Sequence, residues 1–267
     1  MLSTHLLQFY RQVSQQPFTV VDVETTGSKP PQARVIEISV LEAALSQGIL
    51  AQQTYLVNPD VRVPPPITRF TGITQAMVDA ALSSQQVWQA CLPALSQGVL
   101  TAHNLEFDYK FLQSEYTRLA VAFERPPQAR LCTVILARLM LPDLPSRSLP
   151  NLVRHFGFEV GRSHRAAADT KACWLLLERL ITEIINESDE VLLPRFAQQW
   201  ISLKDTAEIL GCTGRQARSH LAKAGIEPRL VGRYKTPMYQ RGIVEQFYWQ
   251  HWQQMTTPSL FSQGQPG

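Results

Sequence analysis

The 267-residue sequence predicts an α/β fold, a mixed sheet flanked by helices, followed by a smaller domain of different character. Three observations predict it. Three strand-like segments come first, joined by turns too short for crossovers. Strand–helix units follow. Beyond residues 186–190, a polar stretch, that alternation stops and the charge balance reverses.

Leu6, Leu7, Phe9, Tyr10 and Val13 have the spacing of a short amphipathic helix. Residues 18–23 are β-branched and predict a buried strand, 34–43 a second and 51–57 a third. Turns at 27–31 and around Gly48 make these strands antiparallel neighbours. Residues 58–66, rich in proline, read as a loop, and Thr74 as the N-cap of a helix reaching Leu82. Residues 99–102 form a short apolar strand, and Asn104 caps a helix to about Leu119, with His103 serving the same turn. Residues 131–141 read as a helix and 149–156 as another, stopped by Gly157. A long helix over 166–186 closes the domain. The predicted units are residues 1–190, 191–252 and a Ser-, Gln-, Pro- and Gly-rich tail, 253–267, expected to be disordered.

Bulk properties narrow the function. A 45% hydrophobic and 18% charged composition is ordinary for a soluble globular chain. Cys91, Cys132, Cys173 and Cys212 form no CxxC pair, which argues against a zinc site or disulfide framework and fits a reducing compartment. No apolar run approaches the roughly 20 residues of a membrane helix. With no basic region and apolar core at the N-terminus, a cytoplasmic location is expected. Residues 1–190 hold 16 Lys and Arg against 18 Asp and Glu, and 191–267 hold 9 against 4. The second part is therefore the one suited to polyanions.

The chemistry lies in four acids and a histidine. Asp22 and Glu24 stand two apart on a strand, so both point to one face while Val21 and Val23 pack on the other. Asp108 falls one turn into a helix that follows a strand, placed at the rim near the sheet end. Asp169 falls early in the long helix, and His164 lies in the small polar loop before it. Acids inside apolar stretches are costly and repel one another when gathered, and divalent cations remove that penalty. Two hard cations, Mg²⁺ or Mn²⁺, suit such carboxylates. A histidine titrating near neutrality can take a proton from water.

Three ordered motifs carry a resemblance: Asp-x-Glu-Thr-Thr-Gly at 22–27, Ala-His-Asn-x-x-Phe-Asp at 102–108, and His-Arg-Ala-x-x-Asp at 164–169. Over residues 17–187 the chain resembles the DEDDh family of 3′–5′ exonucleases, including the proofreading subunit of bacterial DNA polymerase III. The sister class has tyrosine four positions before the aspartate, where this chain has Arg165. The resemblance implies a ribonuclease H-like fold. It implies that Asp22, Glu24, Asp108 and Asp169 hold two divalent ions, with His164 as general base. Thr71-Gly72-Ile73-Thr74 resembles the family segment near the substrate's 3′ end, so Thr25, Thr26 and Ile73 are expected to contact the terminal nucleotide.

In the second part, Ala207, Gly211 and Ala217 have helix-turn-helix spacing, with Ser202 and Thr213 as caps. Arg215, Gln216, Arg218 and Ser219 then face outward on the second helix. A basic hairpin follows, carrying Arg229, Arg233, Lys235 and Arg241. The module resembles winged helix-turn-helix domains of the excisionase type. Arg215, Gln216, Arg218, Arg229, Arg233 and Lys235 are the expected DNA contacts. In the tail, 258–261 weakly resembles a sliding-clamp peptide. A polymerase or clamp is thus an expected replication partner. The expected function is removal of nucleotides from DNA 3′ ends in repair, proofreading or turnover. RNA trimming is one alternative, and a nucleic-acid-binding scaffold is the other. The helix-turn-helix favours DNA, because the deep, narrow major groove of RNA does not admit such a helix.

Overall fold

The computed structural model describes residues 1–252, so the expected disordered tail and the 258–261 segment lie outside the described residues. Two compact units emerge: Phe9–Asn186, and Met1–Gln8 together with the chain from Glu187 onward. Residues 1–8, expected in the first domain, therefore belong by contact to the second. Helix α1 (Ser3–Val13) contributes residues to each unit.

The larger unit is built on β1 (Phe18–Thr25), β2 (Val35–Ala44) and β3 (Gly48–Asn58), paired antiparallel as the short turns require. Strand β4 (Leu82–Ser83) adds parallel to β3. On the other side β5 (Val99–Ala102) and β6 (Arg130–Cys132) add parallel to β1, giving the order β4-β3-β2-β1-β5-β6. This mixed sheet with flanking helices is the ribonuclease H-like arrangement.

Alternation sorts the side chains of β1. Val21 and Val23 join Ile38 and Val40 in a core closed by Val87, Trp88 and Leu95 of α4 (Ser84–Leu95) and Phe111, Leu112 and Tyr116 of α5 (Leu105–Arg118). Phe18, Asp22 and Glu24 face the opposite side. There Phe18 meets Trp174 of α8 (Ala166–Asn186), ring centroids 6.0 Å apart. Helices α6 (Thr133–Met140) and α7 (Leu149–Phe156) pack on α8, and Gly157 ends α7 with φ +67°.

Several local expectations change. The 131–141 segment is a strand and then a helix, since its first residues complete β6 beside β5. The proline-rich stretch is a loop over 59–64 as expected, but its last two residues, Pro65 and Pro66, already begin α2 (Pro65–Thr71). Proline is tolerated in a first helical turn because its missing N–H would have no partner there. Thr74 caps α3 (Gln75–Asp79), accepting from Met77 N–H at 3.3 Å, but that helix stops before Leu82. Asn104 occupies the N-cap position of α5 at φ +82° with no side-chain capping bond.

The smaller unit holds α9 (Asp189–Ala197), β7 (Trp200–Ser202), α10 (Leu203–Leu210), α11 (Gly214–Lys223), a hairpin of β8 (Arg229–Val231) and β9 (Thr236–Gln240), and α12 (Arg241–Phe247). Reciprocal capping boxes start α10 (Ser202 with Asp205) and α11 (Thr213 with Gln216). Leu2, Ile201, Leu210, Ala217, Leu221, Tyr239 and Val244 form its core. The order is helix, strand, two helices, two strands and helix, without the regular strand–helix alternation of the larger unit. No helix of the described residues is long and apolar enough to cross a membrane.

Candidate active site

Strand β1 delivers the first two acids. Asp22 stands opposite Ser39 of β2, Glu24 opposite Glu37, and the register slips at Glu24/Thr25, where the strand ends. Strand β5 pairs with β1 only as far as Val20, so the N–H of Val23 has no strand partner on that side. Asp108 takes it, its Oδ1 accepting at 3.1 Å. The first turn of α5 is thereby fastened to the strand that carries Asp22 and Glu24. Asp108 is 3% exposed, buried behind β1 where the sequence placed it on a rim.

Asp169, in the first turn of α8, accepts the backbone N–H of His164 through Oδ2 at 2.9 Å. That bond turns the loop back on itself, with His164 at φ +63°. Ligand atoms of Glu24, His164 and Asp169 all lie within 4.8 Å of one another. Asp22 senses Asp108, Asp169 and Glu24 together. Three distant segments thus converge, and all five sequence-derived residues meet in one place.

The electrostatics follow from crowding. Burial, then Asp108, Asp169, Glu24 and Glu37, hold Asp22 well above the ordinary carboxylate range. Glu24 is pushed up to about 7 by burial, Asp169 and Glu37, against the pull of Arg165. Asp108 rises to about 8, chiefly through burial, although the Val23 N–H favours its charged form. Asp169 is raised by burial, partly offset by His164.

Two residues escaped the sequence reading. Glu37, 1% exposed, accepts Nη2 of Arg165 at 2.6 Å through Oε1 and the Ala166 N–H at 2.8 Å through Oε2. It pins the start of α8 and the loop carrying His164 against β2. An acid between Ile36 and Ile38 in a buried strand was its signal. Phe70 of α2 lies against the His164 ring, centroids 3.8 Å apart at 33°. Nothing in the local pattern marked it.

A cleft of about 710 Å³ adjoins the acids, lined by Asp22, His164 and Asp169 and also by His103, Arg138 and Arg147. A larger cavity, about 930 Å³, lies along α5 near Pro126 and contains none of the acids. His103 bridges Thr133 (2.9 Å) and the Arg147 carbonyl (2.9 Å), and burial with Arg138 nearby lowers it to about 4. It fastens the 141–148 loop as a neutral ring.

Of the expected substrate contacts, Thr25 donates its hydroxyl to the Gly27 carbonyl at 2.7 Å, and Thr26 Oγ1 accepts the Arg34 N–H at 2.9 Å. Ile73 is fully buried among Ile36, Val63 and Val78 and offers a substrate no side-chain surface. In the second unit Arg215, Gln216, Arg218, Arg229, Arg233 and Lys235 are all exposed, as is Ser219. Arg241, grouped with them in the sequence, is buried instead. It donates to Gln199 Oε1 (2.8 Å) and the Met1 carbonyl (2.8 Å).

A family model for exonucleases of the RNase T type matches residues 19–177. A Mycobacterium tuberculosis protein assigned as a bifunctional exonuclease/endonuclease is 36% identical over 179 residues, covering 64% of this chain. The chain spans only 27% of that relative's length. The DNA polymerase III subunit epsilon of Aquifex aeolicus is 30% identical over 170 residues, 62% of this chain and 81% of the relative. Escherichia coli exonuclease I, solved in complex with a dT13 oligonucleotide, superposes with a TM-score of 0.56 at 19% identity over 62% of this chain and 41% of its own. The acids, the histidine and the sheet that carries them lie inside or at the edge of the matched span, and the chain belongs to the exonuclease family.

Proposed function

We propose that this chain is a two-metal-ion 3′–5′ exonuclease that hydrolyses terminal phosphodiesters of DNA and releases nucleoside 5′-monophosphates. The convergence of Asp22, Glu24, Asp108 and Asp169 beside His164 carries this reading. The donor set consists of hard carboxylate oxygens with one imidazole, and acids that are buried and crowded together gain from a bound cation, so the residues fit Mg²⁺ or Mn²⁺. In this reading the four acids hold two divalent ions. Such ions, when bound, neutralise charge on the phosphate and polarise its oxygens.

The chain's own groups do the rest. His164 accepts a proton from the attacking water. The water oxygen bonds to phosphorus, the bond to the 3′ oxygen of the penultimate nucleotide breaks, and that oxygen is protonated as it leaves. The Asp169 bond to the His164 N–H and the Phe70 ring hold the imidazole over the acids. Thr25 and Thr26 remain the contacts to the terminal nucleotide.

DNA is favoured by the relative named as a DNA polymerase III subunit and by the oligonucleotide bound to exonuclease I. The same relative supports a replicative polymerase as the partner class. We also infer that residues 191–252 form a winged helix-turn-helix that grips DNA phosphates. Gly211 turns between α10 and α11 at φ +65°, small buried Ala207 and Ala217 let the helices approach, and the exposed basic residues lie on α11 and the hairpin. Replacing Arg215 and Arg218 together with alanine should lower the salt dependence of DNA binding by about two in log–log slope.

The central experiment supplies 3′-mismatched, blunt and single-stranded DNA, and RNA, with and without metal, with Asp22→Ala as the blank. Metal-dependent loss of DNA 3′ ends, absent in the variant, is expected. Equal degradation by the variant removes the mechanism, and activity on RNA alone makes the chain an exoribonuclease.

A further inference from the structure

We propose that Arg138 and Arg147 form a second phosphate site in the cleft, holding the linkage immediately 5′ of the one that is cut. The inference rests on the nuclease reading above and adds the residues that recognise substrate as a polymer.

The cleft carries both signs of charge. Asp22, His164 and Asp169 line it together with Arg138 and Arg147. Arg138 is exposed on α6, with no ion pair or hydrogen bond among the described residues. Arg147 is fixed. Its Nη2 donates to the carbonyls of Leu141 and of Pro142, its own carbonyl receives His103, and its buried Nε has no hydrogen-bond partner among the described residues. Burial first, and Arg138 second, disfavour the charged form of Arg147, and Asp143 offsets part of that. Two like charges beside one cleft, one held in place and one without a partner, are relieved by an anion lying between them.

The chemistry of a 3′ end identifies that anion. When the cut phosphate lies at the acids, the terminal nucleotide has no phosphate on its 3′ side. A second phosphate in the same cleft therefore belongs to the 5′ side. A released nucleoside 5′-monophosphate has one phosphate, which the acids take, and none is left for the arginines. The arginines thus favour substrate over product.

The test measures anisotropy of a labelled single-stranded DNA in Asp22→Ala with Mg²⁺, with and without Arg138→Ala. The second ligand carries a neutral methylphosphonate at the linkage 5′ of the terminal one. Arg138→Ala should weaken binding of the all-phosphate strand about tenfold and have no effect on the methylphosphonate strand. Arg138→Lys should recover most of the loss. In the otherwise native chain Arg138→Ala should raise KM with kcat unchanged, and leave inhibition by a nucleoside 5′-monophosphate unchanged. Equal losses for both strands, or weakened monophosphate inhibition, overturn the proposal. Cleavage persisting in Asp22→Ala instead overturns the acid-site reading and is scored separately.

Discussion

His164 adopts a left-handed conformation that non-glycine residues rarely take, and two neighbours hold it there: Asp169 through the main chain and Phe70 through the ring. Removing the imidazole in His164→Ala should cut kcat by about 10²–10⁴-fold with little change in KM, read by steady-state kinetics on an oligonucleotide. Phe70 is 55% exposed and contributes little to the core. Phe70→Ala should leave the melting temperature within a degree or two and lower kcat roughly fivefold to tenfold, the worth of one aromatic contact at about 1 kcal/mol. An unchanged kcat would show that the ring does not position His164. The four acids and His164 were legible because their spacing places them at strand and helix ends. Phe70 was not, since a lone aromatic on a short helix carries no periodic signal. Ile73 misled for a related reason: its neighbours resemble a substrate segment, while its own apolar side chain prefers the core.

Secondary structure was most legible where patterns were long. Helix α8 appeared with the bounds the sequence suggested, and β1, β2 and β3 within a few residues. The failures are short elements whose composition points two ways. Apolar 131–141 suits either a strand or a helix, and pairing with β5 decides its first residues. Prolines at 64–66 read as a loop although they suit a first helical turn. Helix α12 shows how close packing tightens such an element. A Cβ at Gly242 would sit 2.8 Å from Ala197 Cβ and 3.2 Å from the Ala197 carbonyl oxygen. Alanine is the better helix former by about 1 kcal/mol, yet these neighbours belong to α9 and its backbone cannot yield freely. Gly242→Ala should therefore destabilise the smaller unit by about 1–3 kcal/mol, seen as an early transition in thermal unfolding. A raised transition would mean that α9 and α12 separate easily.

For the whole molecule, domain order was legible and chain partition was not. Leu2 packs with Ile201 and Tyr239, and Arg241 reaches the Met1 carbonyl 240 residues away, pairings that no local pattern reveals. The acid cluster also governs global stability. Glu24 and Asp108 release protons at about 7 and 8 in the folded chain, against ordinary values of 4.5 and 3.8 when unfolded. Between those values the folded chain holds more protons than the unfolded one, so raising pH lowers stability. With chelator present, unfolding free energy should fall by on the order of 1–3 kcal/mol from pH 5 to pH 8, followed by denaturant titration. Added Mg²⁺ should stabilise more at pH 8 than at pH 6. A chelated chain that grows more stable across that window would contradict the crowding of the acids.

The raised proton affinity of Glu24 and Asp108 has one more consequence. At neutral pH, cations entering the pocket should expel hydrogen ions into the medium. Calorimetric heats of Mg²⁺ uptake should then differ between buffers of unlike ionisation enthalpy, and apparent cation affinity should climb with alkalinity. Mild acidification alone would silence such an enzyme without unfolding it.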